Sequence, residues 1–198
     1  GKRHHHQGQH GESVQELHGM VRPPKLEGII PWTGPSPGRM HPFGLQAVTP
    51  IRLIRHAPGA PGLRWLGLGP DLRPSRALLK LQRLFDRHAT WARGRSFDQM
   101  RRLLAGSTAV ISLWRGKRLV AFGRATSDGF SRAVLWDIVV AGDLQGRGFG
   151  RRVVEELLHT PSVAGVERVY LMTTNSAGFY RQLGFRDADP QQLLVLKR

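Results

Sequence analysis

Gln145 to Arg152 reads QGRGFGRR: three glycines in five positions followed by two arginines, set between an apolar run and an amphipathic one. Glycine leaves main-chain N–H groups uncovered and accepts left-handed torsions. A helix opening among such residues presents its positive end, so the chemistry on offer is the binding of a phosphorylated anion. Three phosphate loops compete. A Walker A loop requires Lys-Ser or Lys-Thr after its second glycine, and neither follows here. A dinucleotide fingerprint would need glycine at 146, 148 and 151, and Arg151 fills the third place, where close packing of helix on strand excludes a side chain. What remains is Gln145-x-x-Gly148-x-Gly150, with Gly146, Arg147, Phe149 and Arg151 contributing further amides to a pyrophosphate cradle. A tight strand-to-helix turn would use the same glycines. Against it stand Arg151 and Arg152, because cations in a first helical turn oppose the macrodipole by about 0.3–1 kcal/mol each unless an anion sits there.

The elements that must hold this loop follow from periodicity. Ile51 to Arg55 and Leu63 to Leu68 are expected as short strands. Ser75, just after Pro74, is expected to cap a helix carrying Leu78, Leu79, Leu81, Leu84 and Phe85. A second helix starts near Ser96, places Phe97, Met100, Leu103 and Leu104 on one face, and ends before Gly106. TAVISLW and LVAFGRA flank RGKR as a hairpin, and AVLWDIVV follows as a third strand leading into the glycines. Phe149, Val153, Val154, Leu157 and Leu158 recur at helical steps up to the break before Pro161. A strand in ERVYLM, a helix in SAGFYRQLG and a last strand in QLLVLK complete the order.

Composition bounds the partners. The 198 residues hold 30 Lys and Arg against 14 Asp and Glu, a net charge of +16, which favours anions such as phosphorylated cofactors, nucleic acid or acidic protein surfaces. The absence of cysteine excludes disulfides, thiolate metal sites and a cysteine nucleophile. No apolar run is long enough to span a bilayer. Seven of the nine histidines lie at or before His56 and eleven of the thirteen prolines at or before Pro74. Residues 1–50 are therefore expected to form an irregular N-terminal extension and residues 51–198 one globular domain. The opening GKRHHHQGQHGES is read as a tail, not a metal site; Met20 and Met40 are candidate starts, and an Arg-rich, acid-poor leader is compatible with a transit peptide.

The element order, Gln145-x-x-Gly148-x-Gly150, and FYRQLGF from Phe179 to Phe185 together resemble the GCN5-related N-acetyltransferase superfamily over residues 51–198. WDIVV before the loop and GFYRQLGF after it are similar to the cyanobacterial and plant plastid group, which includes serotonin and protein N-acetyltransferases. The resemblance implies an α/β (α+β) fold with a central mixed, mostly antiparallel sheet of six to seven strands flanked by four helices. It implies direct transfer of acetyl from acetyl-CoA to a primary amine, either a protein lysine or N-terminus or a small arylalkylamine. Gln145 to Arg151 would then bind the pyrophosphate, and Ile138, Val139 and Val140 would line the pantetheine arm, where a main-chain N–H polarises the thioester carbonyl. Tyr180 would protonate the departing thiolate, with packing on Phe179 and Phe185 as its plainer use. Many relatives carry an asparagine seven residues before that tyrosine; here Thr173 stands there, and Asn175 is the substitute candidate for the pantetheine amide.

The amine must lose a proton before attack. Asp137, which interrupts an apolar strand one residue before the cofactor-lining segment, is the candidate base. An ion pair with Arg124 or another strand arginine, leaving an ordered water as base, is the alternative. The resemblance also implies that acceptor choice falls largely on the first two helices, on their connection, here HATWARGRS, and on the final strands. From Arg76 to Arg102 eight basic residues face two acidic ones, a solvated face or a surface for acidic protein, ribosome or RNA. A second reading of the whole chain is accordingly a basic nucleic-acid or ribosome-binding module with a regulatory or inactive acetyl-CoA pocket. The expected setting is cytoplasmic, or plastid stroma if the extension is a transit peptide, with the chain a monomer or homodimer away from any membrane.

Overall fold

The computed structural model describes residues 49–196. The expected extension lies outside the described residues apart from Thr49 and Pro50. In chain order the elements are β1 (Ile51–His56), α1 (Pro61–Arg64), α2 (Ala77–His88), α3 (Phe97–Ala105), β2 (Ala109–Arg115), β3 (Arg118–Ser127), β4 (Arg132–Val140), α4 (Phe149–Leu158), α5 (Pro161–Ala164), β5 (Arg168–Tyr170) and α6 (Ala177–Arg181). The strands form one sheet in the order β1-β2-β3-β4-β5. Its first three pairings are antiparallel and β4–β5 is parallel.

Both faces of the sheet are covered, which is why β2 reads as a nearly continuous apolar run. Against one face pack α1, α2 and α3, with Leu81, Phe85, Met100, Leu104, Trp114 and Phe122 buried together; Phe85 and Phe122 meet edge to face at 5.6 Å. Against the other face packs α4, whose Val153, Val154 and Leu157 bury on Ile111, Val120 and Leu135. The second expected helix starts where the sequence placed it. Ser96 caps α3 in a reciprocal capping box with Gln99, which satisfies two helix-end donors.

The sheet has five strands among the described residues, not six to seven. Leu63 to Leu68 is not a strand: Pro61 sits at the start of α1, where its fixed φ favours a helical turn and buries Leu63. The expected strand QLLVLK forms none over its described residues; Leu193 to Leu196 stay 70–86% exposed. Short apolar runs of this kind fit strand, turn and buried helix equally well by periodicity. Ser75 is not the cap of α2 either. Its Oγ donates to the Gly67 carbonyl at 3.3 Å, and Arg76, at φ 54°, occupies the cap position without a side-chain bond.

Candidate active site

The loop after β4 is built so that its amides face outward. Leu144, only 3% exposed, anchors a single 3-10 turn at Gly142–Leu144. The Gln145 side chain then donates back to the Val140 carbonyl at 3.2 Å, so it pins the loop to the strand end. The Gly142 amide donates to His88 Nδ1 at 3.3 Å, tying the same turn to the end of α2. Gly146 and Gly148 take φ values of 72° and 80°, in the left-handed region that glycine enters without penalty. A Cβ at either would meet nothing within 4 Å, so glycine is needed there for torsion, not for space. Gly148 caps α4 without a side-chain bond, and the amides of Gly146 through Arg151 donate to no acceptor among the described residues. Main-chain donors left open at a helix start, beside Arg147 and Arg152, form a site for an anion.

β4 carries the second feature. Phe122 pairs with Val139 and Arg124 with Trp136, which leaves Asp137 and Ile138 opposite Gly123 alone. This is a bulge, and Asp137 sits in it at φ 51°, a conformation Asp tolerates better than most residues. The Asp137 side chain is 5% exposed and accepts from Arg124 Nε at 2.7 Å and from an Arg95 guanidinium nitrogen at 3.1 Å. Of the two roles expected for Asp137, the ion pair with Arg124 is formed. Arg95 joins it from the connection between α2 and α3, so the bulge and the expected acceptor loop share one carboxylate. The neighbouring Val139 side chain is buried on the α2 face, which leaves only its main chain to meet a ligand. Ile138 and Val140 are half-buried on the α4 face.

β5 pairs with β4 no further than Val134–Tyr170. From Leu135 to Val140 the outer edge of β4 has no strand partner among the described residues, and the two strands part where the bulge and the glycine loop lie. At this opening α6 joins the site. A Cβ on Gly150 would lie 3.4 Å from Phe179 Cζ and 3.7 Å from Val140 Cγ2, so strand end, helix start and α6 converge. Tyr180 is clasped edge-on between Phe179 at 4.9 Å and Phe185 at 5.8 Å. The ring packs as its plainer expected use requires, while the hydroxyl donates to no described residue. Burial pushes its phenol above the ordinary value, so it stays protonated at neutral pH. Tyr180 also lines an open groove of about 780 Å³ that runs along β5 and α6 to Leu193. Asn175 is exposed and accepts from Ser176 Oγ at 3.2 Å. Thr173 Oγ1 accepts from the Ser176 amide at 3.1 Å, so it shapes the turn into α6.

Two parts of this site escape sequence reasoning. Arg95 and His88 lie in the connection expected to govern acceptor choice, but their bonds to Asp137 and to the Gly142 amide cross sequence separations that no motif spans. Gly123 left a weak signal, since an isolated glycine inside a strand pattern marks a bulge or a close approach.

The sequence model of the Acetyltransferase (GNAT) family matches residues 61–185. The chain belongs to the GNAT acetyltransferase family. An N-acetyltransferase named ycf52 from Pyropia yezoensis, described as uncharacterized, is 34% identical over 118 residues, 57% of this chain and 67% of the relative. Serotonin N-acetyltransferase 2, chloroplastic, from rice is 46% identical over 69 residues, but these are only 34% of each chain. A crystal structure of a GNAT-family protein from Xanthomonas campestris matches with a TM-score of 0.54 at 26% identity, over 62% of this chain and 89% of that one. GNAT membership sets acetyl transfer as the reaction class and acetyl-CoA as the general cosubstrate. The site fits that molecule: an open amide-lined helix start suits a diphosphate, and the uncovered edge of β4 suits an extended arm with amide groups.

Proposed function

We propose that this GNAT chain transfers acetyl from acetyl-CoA to a primary amine by direct attack, with both substrates bound together. The observation that carries the reading is the run of unpartnered amides from Gly146 to Arg151 beside the free edge of β4. Acetyl-CoA supplies an activated acyl group as a thioester. Gln145 to Arg151 hold its diphosphate, and Ile138, Val139 and Val140 line its arm, where a main-chain donor at the bulge would stabilise developing negative charge on the carbonyl oxygen by about 3 kcal/mol. Phe179 walls the opening, Asn175 is the candidate for the pantetheine amide, and Tyr180 keeps a proton available for the leaving sulfur.

For deprotonation of the amine, Asp137 is the carboxylate nearest the opening in sequence. Its oxygens already accept from Arg124 and Arg95, which supports a positioning role for Asp137 and an ordered water as the proton acceptor. Full turnover by a folded Asp137→Asn variant would agree with that assignment; a kcat lowered by roughly 10²–10⁴ with intact stability would return the base role to Asp137.

The acceptor is a protein lysine, a protein N-terminus or a small arylalkylamine. The last is favoured by Trp91, 61% exposed on the α2–α3 connection, where a flat indole face can cover an aromatic amine. Relatives named as chloroplastic support a plastid-type setting. Thiol release from acetyl-CoA, measured against tryptamines, polyamines and Lys or N-terminal peptides, tests the proposal. Turnover with one class names the acceptor; saturable acetyl-CoA binding with no turnover on any amine would favour the regulatory module instead.

A further inference from the structure

Three separate segments bring cations to one groove on the α2 side of the sheet. Lys80, Arg83 and Arg87 come from α2, Arg115 from the end of β2, and Lys117 and Arg118 from the hairpin that starts β3, lining a cleft of about 510 Å³. On α2 these residues recur at steps of three and four, so they share one face over about 10 Å of helix. Arg118 is matched by Asp143, through bonds of 2.6 and 2.8 Å. Lys80, Arg83, Arg87, Arg115 and Lys117 meet no carboxylate among the described residues. Lys80 Nζ donates to the Lys117 carbonyl at 2.7 Å and sits over the Trp114 ring at 5.6 Å. Burial first, then repulsion from Lys117, Arg76 and Arg83, lowers its ammonium below the ordinary value. This much unmatched charge in a concave surface repels itself and concentrates anions.

The groove discriminates between kinds of anion. A protein partner would need apolar anchors buried at the centre of its interface. The apolar floor here, Leu84 and Leu119, is only 4% exposed at each residue, and the exposed Trp65, Leu66, Trp91 and Phe130 do not line the groove. What it offers to a ligand's polar groups is a row of guanidinium and ammonium donors, over the aliphatic stems of the same side chains, which suits the phosphates of a phosphodiester chain. We propose that this groove, which shares His88 and the Arg118–Asp143 pair with the turn before the glycine loop, binds the phosphate backbone of a nucleic acid beside the acetyl-CoA site, and so brings the acetyltransferase to acceptors on or beside nucleic acid.

The test is fluorescence anisotropy of the full chain with labelled oligouridylate and oligothymidylate, between about 50 and 200 mM salt. Arg83→Ala, Arg87→Ala and Lys117→Ala are combined in one variant. Arg73→Ala, Arg102→Ala and Arg186→Ala, equal in charge and away from the groove, form the control. The expected result is binding of both strands, weakened at least about tenfold in the groove variant at low salt. The salt slope of log affinity should fall by about 2 on loss of three phosphate contacts to a single strand. The control should retain most of its affinity, both variants should show wild-type thermal unfolding, and saturating CoA should leave binding in place. A preference between the two strands separates RNA from DNA as the source of the phosphates. The proposal is overturned if neither strand binds, if the control loses as much as the groove variant, if polyglutamate binds the groove as well as the oligonucleotides do, or if CoA displaces them. These outcomes are read without amine turnover, so they stand or fall apart from the acceptor assignment.

Discussion

At Asp137 a non-glycine residue holds a left-handed torsion while its carboxylate faces two guanidinium groups. Removing that carboxylate leaves Arg124, 12% exposed at its side chain, buried without a counter-charge. Asp137→Ala should therefore lower stability by about 3 kcal/mol, measured by urea denaturation, and Asp137→Asn by less, since Asn accepts hydrogen bonds and tolerates the same torsion. A loss within about 0.5 kcal/mol for both would mean the pair is a surface contact. Tyr180 is a different case, because its ring packs and its hydroxyl is free. Tyr180→Phe keeps the aromatic contacts with Phe179 and Phe185, so it should reduce kcat by roughly 10²-fold and leave CoA affinity and thermal stability unchanged. A fall in stability with unaltered kcat would assign Tyr180 to packing alone.

Among the elements, β3 and α4 approach most closely at Gly123. A Cβ there would lie 2.4 Å from Val153 Cγ1, 2.8 Å from Ile138 Cδ1 and 3.1 Å from Leu157 Cδ1. Val153 is stiff at χ1 and fully buried, so it cannot swing away. Gly123→Ala should cost about 1–3 kcal/mol in thermal or chemical unfolding and weaken CoA binding by displacing α4 from the bulge; a neutral substitution would show that α4 is free to shift. The sequence disclosed the helices α2, α3 and α4, the hairpin and β4, because each repeats its apolar residues at one period over several turns or pleats. It also disclosed the glycine turn between β4 and α4, because torsion demands glycine at 146 and 148. That β4 parts from its neighbour beside Ile138 to Val140 was implied by the family resemblance alone, since the point where β5 stops pairing has no signature in the residues. The sequence could not separate Leu63–Leu68 or QLLVLK from strands, for short apolar runs lack a period to read. The link from Arg95 to Asp137 was hidden for another reason: in a chain this rich in arginine, composition cannot say which one turns inward.

For the molecule as a whole, charge and burial give two kinds of pH and salt response. His56 lies against Ser112 Oγ at 2.8 Å, and Ser112 also accepts from Trp114 Nε1 at 2.9 Å. Burial lowers the His56 imidazole from 6.5 to about 4. Between those values the unfolded chain binds a proton that the folded chain refuses, so stability rises with pH there. Thermal unfolding should be insensitive to this group above about pH 6.5 and lose about 2–3 kcal/mol as pH falls toward 4, and His56→Gln should flatten that limb. An unchanged limb in the variant would place the acid sensitivity elsewhere. The central claim is that the start of α4 grips a diphosphate through main-chain amides, and it can be tested most directly by calorimetric titration with CoA, with 3′-dephospho-CoA, which keeps the diphosphate, and with pantetheine, which keeps the arm alone. We predict saturable binding of CoA and of 3′-dephospho-CoA and, from two or more charge-assisted hydrogen bonds at about 1.5–3 kcal/mol each, pantetheine binding at least about 100-fold weaker than either; equal affinity for 3′-dephospho-CoA and pantetheine, or no heat with CoA, would contradict the account.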